Sequence, residues 1–202
     1  MKMTTGGFGI IRENLGRLKE SQVYAINHIV QKMDEDKSIS YPQGAYILAT
    51  IWHETATTMQ PIAEYGKGKG RTYGTWFKNS KGQLYSFKDG SKTTAYLYDD
   101  YPHLYHGRGE TQNTWFVNYE KLSKVFGVDF LSNPDLLLTQ EWSTPVTIYS
   151  MKTGLYTGKK LSDYIHQSKK DYVNARRIIN GMDKAKLIAG YADIFERALR
   201  SL

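Results

Sequence analysis

Residues 40–57 read SYPQGAYILATIWHETAT. Ser40 is an N-cap candidate, and Pro42 falls in the first turn, where a missing N–H costs little. The spacing predicts a helix from there to about Thr57, with Pro61 beyond its end. Ile47, Ile51 and Glu54 stand at i, i+4 and i+7, so they share one stripe. A carboxylate that continues an apolar stripe near a helix C-terminus is costly to ionise unless it reaches solvent or a partner. A carboxyl held protonated near neutrality is what a general acid needs. The bland alternative is a Glu54 at the stripe edge, simply solvated.

Working outward, residues 20–34 place Val23, Ile26, Ile29, Val30 and Met33 at helical spacing. Residues 65–100 change character. YGKGKGRTYG and KNSKGQLYSFKDGSK are rich in Gly, Lys, Ser and Asn, and they predict turns and a small, irregular β lobe over roughly 65–104. Helices then return. Asn133-Pro134 predicts a helix running to about Lys152, and residues 171–179 a short helix ending near Asn180-Gly181. Residues 183–202 put Leu187, Ile188, Tyr191, Phe195, Ala198, Leu199 and Leu202 on one face. The expected fold is mainly α, of the α+β class, with a small β lobe and a substrate cleft beside it. A chain of 202 residues fits one domain spanning 1–202.

Composition narrows the partners. There is no cysteine, which removes disulfide and thiolate chemistry and favours synthesis in the cytosol. No apolar run approaches the roughly 20 residues of a membrane span, and the first residues lack the apolar core of a signal peptide. A protein made this way would reach a wall outside the cytoplasm only after release. Net charge is +7, and residues 151–202 hold eleven Lys and Arg against five Asp and Glu. Such a field favours polyanions: nucleic acid, anionic lipid or bacterial wall polymer. Sixteen tyrosines and four tryptophans supply flat faces for sugars or bases, although many must be core.

Several motifs fail. His53-Glu54 opens like a zinc-protease helix, but Thr57 stands where the second histidine belongs. GKGKGR lacks the spacing and ending of a phosphate loop. His103 and His106 find no completing ligand set, so no metal or other cofactor is expected. There is no GxSxG elbow.

Residues 105–119 read YHGRGETQNTWFVNY. In an extended segment Gln112 and Thr114 share a side, with Arg108 and Glu110 joining them if the extension reaches back. Amide, hydroxyl and aromatic groups in a row suit a sugar's hydroxyls and N-acetyl group. The competing reading is a polar-faced strand followed by a helix start, with Arg108 in an internal salt bridge. Glycoside cleavage also needs a second carboxylate. Glu64 is the nearest candidate after Glu54, with Asp99, Asp100 and Glu110 as rivals; the Thr72 hydroxyl is placed to hold a water, or else is an ordinary strand threonine.

Together these residues resemble glycoside hydrolase family 19, the chitinases and related phage endolysins. The matches are His53-Glu54-Thr55, then Tyr105, Gly107-Arg108-Gly109, Gln112, Thr114-Trp115 and Asn118-Tyr119, then Ile179-Asn180-Gly181. The pattern spans residues 52–181. The resemblance implies a lysozyme-like fold, Glu54 as general acid, and Tyr105, Arg108, Gln112, Thr114, Asn118 and Asn180 along the substrate cleft. It implies inversion at the sugar, with a base activating water. Asn113, Val117 and Met182 depart from the family pattern, and Glu64 lies closer to Glu54 than the family's base does. The Glu54, Glu64, Thr72 spacing is similar to the Glu-Asp-Thr set of small phage lysozymes, which moves the expected substrate from chitin toward peptidoglycan.

The leading expectation is therefore a monomeric endolysin, a peptidoglycan muramidase with Glu54 as acid, Glu64 as base and Thr72 assisting. Its basic C-terminal helices would hold an anionic wall or outer-membrane surface, and nucleic acid is not its partner. A chitinase, a lytic transglycosylase and a non-catalytic wall-binding module are the alternatives.

Overall fold

A computed structural model describes residues 1–68, 71, 73, 75–78, 84–87 and 105–201. Contacts divide the chain into two compact units, Met1–Gln60 with Thr144–Leu202, and Pro61–Ser143. The fold is mainly helical, as the sequence predicts.

The first unit is built on helix α3 (Tyr41–Glu54). Its start follows the predicted chemistry. The Gln43 backbone N–H donates to Ser40 Oγ at 3.4 Å, and the Ser40 N–H donates to Gln43 Oε1 at 3.1 Å, a reciprocal capping box. Every residue from Gly44 to Trp52 is buried, so this stretch is covered on all sides and is a core element. Around it lie α1 (Thr5–Leu15) and α2 (Glu20–Glu35). The last long helix of the chain, Ala185–Arg200, packs against both α3 and α1. Trp52 meets Phe195 edge-on at 6.0 Å, and Tyr46 stacks on Tyr172 at 5.8 Å. Gly7 permits the close approach of α1 to the last helix: a Cβ there would lie 2.5 Å from the Ala198 carbonyl oxygen.

The second unit is small and polar-aromatic. Strand β1 (Ile62–Ala63) pairs antiparallel with β4 (Arg108–Gly109), and β2 (Thr75–Lys78) with β3 (Leu84–Phe87). The β2–β3 hairpin lies in the predicted β lobe. A tight turn follows β4, closed by Arg108 N–H to Asn113 O at 3.0 Å and Asn113 N–H to Arg108 O at 2.8 Å. Helix α4 (Phe116–Phe126) then ends at Gly127, whose φ of 65° is the left-handed conformation of a helix stop.

Three helix expectations are corrected. The helix expected over 133–152 is two pieces, a 3-10 helix Pro134–Leu138 and α5 (Gln140–Thr153). Asn133 stands before the 3-10 turn, its carbonyl accepting from the Leu136 N–H at 3.1 Å, but its side chain makes no cap bond and its amide donates to the Asp129 carbonyl; Thr139 is extended before the second piece starts. The helix expected over 171–179 is a 3-10 helix, Asn174–Ile178, preceded by α6 (Leu161–Tyr164) and the β5–β6 pair (Ile165–His166, Lys169–Lys170). Asp171 anchors its start by accepting from the Asn174 N–H at 3.0 Å. In α7 (Ala185–Arg200), Ile188, Phe195, Ala198 and Leu199 are buried as expected, but Leu187 is exposed. It sits about 100° round the helix from Ile188, off the buried stripe. Leu202 lies outside the described residues.

Candidate active site

In the first unit, Glu54 is the last residue of α3. The helix stops one residue later by a Schellman closure. The Thr57 N–H donates back to Trp52 O at 2.7 Å, and the Ala56 N–H to His53 O at 3.2 Å. That closure requires a left-handed residue, normally glycine, yet here Ala56 takes it with φ 48°. Thr57 (φ 70°) and Met59 (φ 59°) are left-handed too. Side chains hold the turn in place: Gln22 donates to Thr57 O at 2.7 Å, Gln60 to Ser21 O at 3.0 Å, and the Met59 N–H to Thr55 Oγ1 at 2.9 Å. Strain of this kind, fixed by its surroundings, concentrates at functional sites.

The expected carboxyl alone on an apolar stripe is replaced by an ion-paired one. Arg176, in the 3-10 helix Asn174–Ile178, donates from Nη1 to Glu54 Oε1 at 2.5 Å. Its Nε donates to the Asp183 carbonyl at 3.0 Å, which fixes the guanidinium plane. The Arg176 side chain is 5% exposed and that of Glu54 18%, so the acid alone keeps an opening to solvent. Glu54 Oε2 has no hydrogen-bond partner among the described residues. Sequence reasoning missed Arg176; its only signal is a position just before the Ile179-Asn180-Gly181 turn. Asn180 is exposed, with Oδ1 accepting from the Gly181 N–H at 2.8 Å.

In the second unit, Glu64 is half-buried and held by two donors. Tyr73 Oη donates to Oε1 at 3.1 Å, and the Gly107 N–H to Oε2 at 3.0 Å. Partial burial, then the Glu64 charge, push the Tyr73 phenol above its ordinary range, so it stays a donor. Gly107 lies in the middle of the cluster. A Cβ there would stand 2.6 Å from Gln112 Oε1 and 3.3 Å from both Glu64 Cβ and Thr114 Cγ2. Gln112 donates to Ile62 O at 2.9 Å and Asn118 to Thr114 O at 2.9 Å, and both remain half-buried. Trp115 is exposed, with Tyr73 edge-on to it at 4.8 Å. Glu64, Gln112, Thr114 and Asn118 thus come together beside an open indole face, a surface suited to a sugar.

Two expected contact residues lie elsewhere. Tyr105 is fully buried, with its hydroxyl donating to Leu131 O at 3.2 Å. Arg108 is also buried. Its Nε binds Asp135 Oδ1 at 2.6 Å, and its Nη1 donates to Tyr119 Oη at 3.2 Å and His106 O at 3.3 Å. The internal salt bridge is the reading that holds for Arg108, and both residues are core. Glu110, a rival base, is fully buried with its N–H donating to Ser143 Oγ at 2.7 Å, so bulk water does not reach it. Thr72, Asp99, Asp100 and His103 lie outside the described residues.

Solved structures share this fold. A bacterial family 19 chitinase matches with a TM-score of 0.58 at 14% identity, over 99% of this chain and 96% of its own. Chitinase C from Streptomyces griseus matches at 0.58 and 16%, over 98% of this chain and 76% of its own. The chain therefore has the lysozyme-like, mainly helical fold of family 19 chitinases. Sequence similarity is narrower. Endochitinase A2 of Pisum sativum is 31% identical over 113 residues, which is 51% of this chain and 33% of that protein. Endochitinase 1 of Theobroma cacao is 54% identical over 35 residues, which is 17% of this chain and 11% of that protein. The chain spans a third or less of the length of these curated relatives. No family profile matches it.

Proposed function

We propose that this chain is a glycoside hydrolase that cleaves β-1,4 bonds between N-acetylated amino sugars, and that its substrate is peptidoglycan. The observation that carries the reading is the Glu54–Arg176 pair. The guanidinium fixes Oε1 and leaves Oε2, the oxygen that can deliver a proton to a leaving glycosidic oxygen, unclaimed. Glu64, fixed by Tyr73 and Gly107, takes the role of base that activates water, with Thr72 assisting. Gln112, Thr114, Asn118 and the Trp115 face bind the sugar, and Asn180 is assigned as a further sugar-binding residue. Inversion then requires carboxyls roughly 6.5–9.5 Å apart. Preference for peptidoglycan rests on charge. A chain of net charge +7 with its excess at the C-terminal end gains from an anionic wall and gains nothing from neutral chitin.

The test is Glu54→Gln, which removes the proton and keeps the shape. Wall-lysing activity should fall by at least about 100-fold with an unchanged melting temperature. Substantial activity in a folded Glu54→Gln protein would remove the acid assignment. Glu64→Gln should cost a similar factor, and a β substrate should yield the α anomer by NMR. A product with an anhydro end would instead mean transglycosylation.

A chitinase is the second reading, favoured by the names of the similar proteins, all endochitinases or chitinases. Turnover on purified peptidoglycan against chitin oligomers separates the two.

A further inference from the structure

Arg176 and Arg177 are neighbours on one short 3-10 helix but face opposite environments. Arg176 is buried against Glu54, whereas Arg177 is exposed. Two tethers bring further cations to this helix. Thr157 Oγ1 donates to Arg177 O at 2.6 Å, with Ile178 O at 3.1 Å, which pins the loop that carries Lys159 and Lys160. The Arg176 bond to Asp183 O pins the turn that carries Lys184. Arg177, Lys159, Lys160 and Lys184 are all exposed, and none has a carboxylate within 4.0 Å among the described residues. Lys169 and Lys170 differ. They face Asp171 at 3.9 Å, and Asp193 and Glu196 at 4.0 and 2.9 Å, and are neutralised where they stand. The acids near the free group are Asp163, which accepts from the Lys160 N–H, and the exposed Asp183. Cations outnumber them.

We infer that Arg177, with Lys159 and Lys184, forms a carboxylate-binding edge on the segment anchored to Glu54 through Arg176, and that it recognises the peptide stems of peptidoglycan. The inference rests on the reading of peptidoglycan as substrate. Peptidoglycan carries carboxylate-bearing peptides on alternate sugars, whereas chitin carries no charge. Arginine suits the role, because its planar fork takes a carboxylate through two parallel hydrogen bonds.

The experiment compares two substrates made from the same teichoic-acid-free sacculi, one with intact stems and one stripped of them by an amidase. Arg177→Glu combined with Lys184→Glu should lower kcat/KM about 10-fold on the intact strands and less than about 2-fold on the stripped ones. Raising salt should erase the difference. An equal loss on both substrates, or none on either, overturns the inference. So does a loss confined to walls that carry teichoic-acid phosphate. Titrating a soluble muropeptide into the Glu54→Gln protein, with and without the charge reversals, reads the same edge without turnover. Weaker muropeptide binding in the reversed variant supports it. A wild type that cleaves chitin oligomers and no peptidoglycan defeats the functional reading and, with it, this one. Peptidoglycan cleavage indifferent to stems defeats only the inference.

Discussion

Each of the two units buries an arginine among apolar side chains, but in different company. The first buries aliphatic and aromatic side chains around the buried helix α3 and also buries Arg176, which holds the candidate acid. The second has a guanidinium in its core. Arg108 is wrapped by Tyr119, His106 and Asp135, and Tyr105 and Phe116 pack edge-on at 5.4 Å nearby. Buried arginines therefore do different work here. One holds the candidate acid, and the other sits among the buried aromatic side chains of its unit, with Tyr105, Phe116 and Tyr119 nearby. Burial and charge alone do not distinguish a functional arginine from a structural one; the partner does.

The contrast can be broken from either side. Phe195→Ala should cost the first unit about 3–5 kcal/mol by opening a cavity, seen as lost hydrogen-exchange protection in α3 and α7. Arg108→Met should cost the second unit about 2–3 kcal/mol, because Tyr119 Oη and the His106 carbonyl lose a charged donor. Its effect should appear in α4. If the Arg108→Met protein were as stable as wild type, the polar network would not be what holds that unit. Gly7→Ala should cost about 1–3 kcal/mol by forcing α1 off Ala198, read as a lower melting temperature.

Acid should sharpen the same difference. Burial, followed by the Arg108 charge, lowers the His106 pKa below the ordinary value near 6.5. Protonation then favours the unfolded chain, so the second unit loses stability as pH falls below about 6.5 toward the depressed value. In the first unit, burial opposes ionisation of Glu196, but Lys170, Tyr172 and Arg200 outweigh it and hold its carboxyl below the usual range. That contribution is full above about 4.3 and fades only below it. Residue-resolved hydrogen exchange at pH 5.5 should find α4 weakened before α7. His106→Gln should flatten the response of α4.

How much of this was legible in the sequence follows from separation along the chain. The N-cap at Ser40 and the apolar stripe of α3 are local, and local rules found them; the return bond from Gln43 that completes the box went unread. The Glu54–Arg176 pair joins residues 122 apart, and periodicity carries no such information. The 105–119 segment misled for a different reason. A row of polar side chains looks the same whether it stays open or satisfies its own core, and this segment mixes the two. Gln112, Thr114 and Asn118 stay half-open while Tyr105 and Arg108 turn inward. The helix expected over 133–152 breaks at Thr139, whose extended backbone separates the 3-10 turn from α5.

An alanine in the left-handed seat at position 56 has an evolutionary corollary. A glycine there would relieve backbone strain of about 1–2 kcal/mol. Part of that gain would be offset by a floppier unfolded chain. A screen for heat-resistant variants should thus find Ala56→Gly early. The same change would unlock the last turn of α3 and let the acid wander. Thermal tolerance and turnover should trade against each other at this one codon.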